Sequence, residues 1–302
     1  MLPAGLNFIE RGWLSSNSLL LQSPEQAALF DTGYFTHAPQ LIGLVKQLLA
    51  GQSLDTIVNT HLHSDHCGGN ALFQAEFDRL QTHVPVTQKH TVVDWNTQAL
   101  SFDMTGQTCP RFDASHGTAP DQVLMVCDLP WLAKSSPGHD DDSLIFFQPD
   151  HGLLLSADAL WEQGFGVVFP ELMGGPGFEN IATSLDLIDQ LKVQVVLPGH
   201  GRPFTDVNAA LALARSKLDF FAAHPDRHAL YAAKVLLKFK LMELQRCDQQ
   251  VFMEWALSAP LLLLIHAHLF AEVPVLQWLE QLIDQLVERK AMLIDHGCLI
   301  NN

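Results

Sequence analysis

The residues best suited to chemistry lie in one short run, His61-Leu-His63-Ser-Asp65-His66, which packs three imidazoles and a carboxylate into six positions. It follows the apolar stretch Leu54–Asn59, which reads as a buried strand. Two histidines two positions apart, leaving a strand into a loop free to curl, can converge on one cation, while Asp65 and His66 face a second. Borderline divalent metals such as Zn²⁺ favour imidazole nitrogen with a few carboxylate oxygens. Gly68 and Gly69 follow, letting the backbone pass close to the site and start the next helix. A surface loop that is merely rich in histidine seldom has this spacing, so metal binding is the better reading.

Three further residues share one placement. His139 lies in Ser135-Ser-Pro-Gly-His139, Asp158 closes Leu153-Leu-Leu-Ser-Ala-Asp158, and His200 closes Val195-Val-Leu-Pro-Gly-His200. Each sits at the end of an apolar strand or in the loop beyond it, where ligand sites gather in layered α/β folds. Together they supply the donors that a two-metal site would still lack.

Thr60-His61-x-His63-x-Asp65-His66-x-Gly68-Gly69, Pro137-Gly138-His139, Ala157-Asp158 and Pro198-Gly199-His200, in this order, resemble the metallo-β-lactamase superfamily, as do Asn17-Ser-Leu-Leu-Leu and Phe30-Asp31-Thr32-Gly33 near the start. The resemblance covers about residues 6–204. It implies an α+β fold, the αββα sandwich of two sheets flanked by helices. It also implies that His61, His63 and His139 hold one metal, that Asp65, His66 and His200 hold a second, and that Asp158 bridges both. The expected cofactors are two divalent metal ions, zinc by default, with iron or manganese also compatible with these donors. A metal-bridging hydroxide would then attack an ester-like bond, a thioester, ester or lactone. Asp65 would have a second, catalytic role, orienting the nucleophile or passing a proton to the leaving group.

The elements that must position these residues divide at about Thr205. Residues 1–204 read as the catalytic domain, with strands over Asn17–Gln22, Ala27–Phe30, Ser143–Phe147, Gly152–Leu155 and Val193–Leu197, and helices over Leu41–Leu49, Ala71–Leu80 and Ile181–Leu191. Val84–Trp131, broken by four prolines, reads as irregular. Residues 205–302 turn to helical patterns over Val207–Ala223, His228–Arg246, Gln249–Leu257 and Val275–Lys290, with a terminal hairpin over Ala291–Ile300. That order is the outline of a small winged-helix-like domain.

Composition narrows the function classes. The 302 residues are 48% hydrophobic with a net charge of −16, so the chain can bury a large core and is a poor general binder of phosphate backbones. The acidity belongs to the first part, with 8 Lys/Arg against 22 Asp/Glu, whereas residues 205–302 carry 9 against 11. Lys234, Lys238, Lys240 and Arg246 therefore read as a solvated helix face, and no nucleic-acid partner is expected. Two alternatives remain: a nuclease or phosphodiesterase of the same fold, and a di-iron redox module. Against the latter, Ser64 stands where such relatives carry a glutamate.

Five widely spaced cysteines without a CxxC, and no basic, apolar leader in residues 1–20, point to a reduced, cytoplasmic location. Pro260–Phe270, the most apolar run, is too short to cross a bilayer, so no membrane partner is expected. The apolar helices of the tail leave room for a homodimer. A small-molecule substrate is expected, its walls drawn from Asp94–Arg111 and from Trp161, Phe165 and Phe169. The acidic turn Asp140-Asp141-Asp142 would repel an anionic thioester.

Overall fold

The computed structural model describes residues 2–302, which divide into two compact units: residues up to Leu100 with Thr108–Asp219, and Ser101–Gln107 with Phe220–Asn302. The first unit is built on two sheets. One has six strands, Leu6–Ile9, Ser18–Gln22, Ala27–Phe30, Thr56–Val58, Gln81–Pro85 and His116–Thr118, adjacent in that order. The first three pair antiparallel and the rest continue in parallel. The other sheet runs Val195–Pro198, Leu153–Ala157, Leu144–Gln148, Leu129–Ser135, Val123–Val126. Only its first pair is parallel.

The alternation of side chains along a strand explains why these runs are apolar throughout rather than at every second position. Leu19, Leu21, Ala28, Phe30 and Val58 point from the first sheet into a core shared with Trp131, Ala133, Phe146, Leu155 and Leu197 of the second. Their neighbours Leu20, Leu29 and Ile57 point the other way, against Leu41, Ile42, Val45 and Leu49 of helix Ala38–Leu49 and against Phe73. Helix Gly177–Gln190 buries Ile181, Ser184, Leu185 and Ile188 at helical spacing, and the Ser184 hydroxyl donates to the Pro137 carbonyl at 2.7 Å. Two sheets, each with helical cover, give the α+β sandwich expected from the sequence.

Strand direction brings the site together. Leu129–Ser135 is antiparallel to Leu144–Gln148, which is antiparallel to Leu153–Ala157, which is parallel to Val195–Pro198. The segments leaving the first, third and fourth of these, which carry His139, Asp158 and His200, therefore emerge at one end of the sheet. The two sheets are stitched there by Leu144 N–H donating to the Thr60 carbonyl (2.8 Å) and Asn17 N–H donating to that of Gly199 (2.7 Å). The Asn17 amide also donates to the Pro198 and Gly201 carbonyls.

The stretch Val84–Trp131 is more ordered than its prolines imply. It holds helix Lys89–Asp94, strand His116–Thr118 and the edge hairpin Val123–Val126/Leu129–Ser135, in which Pro130 lies opposite Met125. Pro130 stands near the start of its strand, before the pairing with Leu144–Gln148 begins at Leu132, so on that side its missing N–H has no ladder partner to lose.

Lys217 is half-buried in this unit. Its ammonium donates to the Phe165 carbonyl at 2.9 Å and lies 4.8 Å from the Phe165 ring centroid. Burial pulls its pKa down to about 8. Below that pH both folded and unfolded chains carry the proton. Between about 8 and the ordinary lysine value only the unfolded chain does, so stability rises with pH across this window. Compared with Lys217→Met, the wild type is expected to gain roughly 2–3 kcal/mol between pH 7 and pH 10. Paired thermal melts at the two pH values measure it, and a constant gap would exclude the effect.

In the second unit, helices Pro225–Leu244, Gln249–Ala256, Pro260–Leu269 and Val275–Glu288 accompany a three-stranded sheet in which Cys298–Asn301 lies between Arg246–Asp248 and Met292–Asp295. The Asp248 carboxylate caps helix Gln249–Ala256 by accepting from the Gln250 and Val251 amides. The apolar run around Leu261–Leu264 forms the helix Pro260–Leu269, with Leu261, Leu262 and Ile265 buried. It packs against the short helix Phe102–Thr105 and against Pro225–Leu244. Among the described residues no single helix is long and apolar enough to cross a membrane.

Candidate metal centre

The seven predicted donors meet in two adjoining clusters. In the first, His63 Nδ1 lies 3.1 Å from His61 Nε2 and 2.7 Å from His139 Nε2. In the second, His66, His200, Asp65 and Asp158 each turn one donor atom inward. The Asp158 carboxylate joins the two. Its Oδ2 is 3.3 Å from His139 Nε2 and 3.8 Å from His200 Nε2, and its Oδ1 is 3.4 Å from His66 Nε2. Asp65 Oδ2 is 3.1 Å from His200 Nε2. No sequence-predicted donor lies elsewhere.

Hydrogen bonds around the clusters fix which ring nitrogens carry lone pairs. A backbone carbonyl only accepts, so His139 Nδ1 donates to Val167 O at 2.6 Å and its Nε2 is bare. Asp31 holds two groups at once. Its Oδ2 accepts from His66 Nδ1 and from the Thr60 hydroxyl, both at 2.8 Å, and its Oδ1 accepts from Thr60 N–H at 2.9 Å. With its hydrogen spent on Asp31, the Thr60 hydroxyl accepts from His61 Nδ1 at 3.1 Å. The Nε2 atoms of His61 and His139 are therefore unprotonated acceptors facing inward, whereas His66 turns Nε2 toward carboxylates: burial would lower its pKa, but Asp158, Asp31 and Asp65 outweigh it and raise it well above the usual histidine range, so positive charge is favoured at this atom.

Such an arrangement needs a cation. The three nitrogens of the first cluster present more lone pairs to one another than protons to share. In the second, the fully buried His66 Nε2 has no hydrogen-bond partner, and its nearest polar neighbours are carboxylate oxygens of Asp158 and Asp65. A buried polar atom left so is costly unless something positive sits among these acceptors. Divalent metals fit the donor set, which is imidazole nitrogen and carboxylate oxygen without thiolate.

The electrostatics of the first cluster and of Asp158 agree with this reading. Burial, then the neighbouring imidazoles, pushes His61 well below the usual histidine range. Burial and His139 bring His63 down to about 3, so both stay neutral. Burial would raise Asp158, but the facing His66 and His200 imidazoles outweigh it and hold the carboxyl well below its usual range. Asp158 is an anion ready to bridge positive charge.

Two glycines make room for these side chains. A Cβ on Gly199 would sit 2.3 Å from Asp158 Oδ1, and one on Gly166 would sit 2.5 Å from His139 Nδ1.

The margins of the centre are aromatic. Trp13, 59% exposed, stacks on the His200 ring with centroids 5.4 Å apart and planes 10° apart. Trp161 meets both rings edge-on and donates its indole N–H to Asp158 Oδ1 at 3.3 Å. Phe169 flanks His63 and His139 at 5.3 and 5.6 Å. Of the expected walls, Trp161 and Phe169 are at the centre. Phe165 is not a wall: it is fully buried beneath Lys217. Of the stretch Asp94–Arg111, residues Ser101–Gln107 cluster with the second unit. The acidic turn is only partly solvated. Asp141 is exposed, whereas Asp140 Oδ2 faces His63 Nε2 at 3.6 Å and its Oδ1 accepts from Asp142 N–H.

Asp31, Trp13 and Asn17 complete the centre without having been singled out as functional from the sequence. The signal for Asp31 was present: a carboxylate directly after an apolar strand, in the same place as Asp158. Because Asp31 fixes His66 and, through Thr60, His61, Asp31→Asn is expected to weaken metal affinity about 10- to 100-fold with the fold kept. Titration against a chromophoric chelator measures it, and unchanged affinity would remove Asp31 from this role.

The sequence profile described as the Metallo-beta-lactamase superfamily matches residues 11–200. A protein of Bacillus subtilis named probable metallo-hydrolase YqgX is 26% identical over 200 residues, spanning 65% of this chain and 89% of that protein. A hydroxyacylglutathione hydrolase of Shewanella loihica is 30% identical over 162 residues, spanning 53% of this chain and 52% of that protein. The crystal structure of a metallo-beta-lactamase family protein from Thermus thermophilus superposes over the full length of both chains with a TM-score of 0.56 at 20% identity.

Proposed function

The chain belongs to the metallo-beta-lactamase superfamily, and from that premise we propose that it is a two-metal hydrolase of small molecules that cleaves an ester-like bond, whether thioester, carboxylic ester or lactone. The observation that carries this reading is one carboxylate shared between two donor clusters, with Asp158 3.3 Å from His139 and 3.4 Å from His66. His61, His63 and His139 would hold one cation, Asp65, His66 and His200 the other, and Asp158 both. Zinc is the proposed metal, because imidazole and carboxylate donors in a closed, buried set suit it. When bound, two such cations supply a hydroxide nucleophile at neutral pH and Lewis acidity toward a carbonyl oxygen.

The protein's own groups do the rest. The Asp31 carboxylate keeps the imidazoles in the ligating tautomer. Asp65, whose Oδ2 lies beside His200 Nε2, would orient the nucleophile and pass a proton to the leaving group. Trp13, Trp161 and Phe169 form an apolar margin for an acyl group and exclude water beside it. The exposed Asp141 puts negative charge on the acidic turn, and Asp140, beside His63 and pushed by burial up to about 7, adds to it as pH rises; such a turn disfavours anionic leaving groups such as glutathione. The hydroxyacylglutathione hydrolase among the relatives supports the ester-like class of bond.

A zinc-loaded activity panel tests the reading, with a lactone, an aryl ester, an acyl-glutathione, a phosphodiester and single-stranded RNA. Hydrolysis of one or more ester-like substrates is expected, lost with a chelator and restored by zinc. Cleavage of RNA or the phosphodiester alone would replace it with a nuclease.

A further inference from the structure

Hydrolysis at this centre has no use for a thiol, yet one is buried immediately behind it. Cys67 follows His66 on the single-turn helix Ser64–Cys67, and its sulfur is fully buried. The thiol lies 3.5 Å from the Leu62 carbonyl, and its Sγ is 3.8 Å from that of Cys109. Cys109, 42 residues on, is partly exposed. The backbone on either side of it is anchored. Thr108 N–H donates to the hydroxyl of the buried Tyr34 at 3.4 Å, and the Arg111 guanidinium donates to the Val93 carbonyl at 3.0 Å. Two held segments thus present a buried sulfur to an accessible one.

We propose that Cys67 and Cys109 form a reversible oxidation site, closing to an intramolecular disulfide when a small peroxide reaches Cys109. The sulfurs need to approach by only about 1.8 Å to reach bonding distance. In the first step the Cys109 sulfur attacks hydrogen peroxide. The O–O bond breaks, one oxygen stays on sulfur as a sulfenic acid, and the other leaves as hydroxide that takes up the Cys109 thiol proton to become water. The Cys67 sulfur then attacks the Cys109 sulfur, the S–O bond breaks, and the oxygen leaves as a second water carrying the Cys67 proton. Two thiols lose two electrons and one peroxide gains them.

The order of the steps follows from the surroundings. Cys67 is fully buried, out of reach of a peroxide, whereas Cys109 is partly exposed, so Cys109 reacts first and Cys67 serves as the resolving partner. The bond would tie the helix carrying Asp65 and His66 to the Thr108–Phe112 segment. This site stands on the two sulfurs alone and does not depend on which substrate the centre hydrolyses.

Peptide mapping of the metal-loaded protein tests it. After treatment with hydrogen peroxide and alkylation, a non-reducing digest is expected to contain a Cys67–Cys109 cross-linked peptide as the main disulfide. The link should disappear with dithiothreitol and be absent from Cys109→Ser, in which Cys67 stays a free thiol. Recovery of wild-type Cys67 as a free thiol beside sulfinic Cys109, or of Cys67 linked to another cysteine, would overturn the proposal.

Discussion

Asp158→Ala is expected to lose bound metal and hydrolytic turnover together, with turnover falling by at least about a thousandfold. One carboxylate here spans both clusters, its Oδ1 facing His66 and its Oδ2 facing His139 and His200. Alanine removes the one anion placed to neutralise charge in both clusters at once, and leaves Asp65 as the remaining carboxylate among the inward donors, in the second cluster alone. It also frees the Trp161 indole N–H, which donates to Asp158 Oδ1. The fold should survive, because the neighbouring strand Leu153–Ala157 is held by its own pairing on both sides. Metal-to-protein ratio and turnover on the same sample are the readouts. Full metal content with full turnover would reject the bridging role.

Trp131→Ala should do the opposite, costing stability while sparing the centre. Trp131 is fully buried between the sheets, its ring 5.3 Å from that of Phe30, which in turn meets Phe146 at 5.1 Å. Removing the indole from such a packed layer costs about 3–5 kcal/mol, from lost transfer energy and the cavity left behind. Against a total of roughly 5–15 kcal/mol for a natural domain, that is a large share. Urea denaturation should show the loss, with metal affinity of the folded protein unchanged. A cost below about 1 kcal/mol would mean that the two sheets do not depend on this layer.

These two variants separate what the sequence made legible from what it did not. The seven donors could be read because each follows an apolar strand, and strand ends in such a sandwich converge. The short spacing from His61 to His66 leaves few other uses. The strands Ala27–Phe30 and Leu153–Ala157 were legible for a related reason: burial on both faces makes them apolar at every position, a pattern that needs no knowledge of the partner. Trp13 was not legible. A tryptophan in a hairpin turn has no periodicity to mark it, and its stacking on His200 exists only once residues 187 positions apart meet. Phe165 shows the converse, since proximity to Asp158 in sequence made it a candidate wall while its complete burial places it in the core. The edge hairpin around Pro130 was hidden because half of its residues face solvent, which dilutes the hydrophobic signal.

The most direct test of the account is anomalous diffraction at the metal edge from crystals of the zinc-loaded protein. Two peaks are expected, one among His61, His63 and His139 and one among Asp65, His66 and His200, with the Asp158 carboxylate between them. Density for metal elsewhere, or neither site filled at saturating zinc, would contradict it.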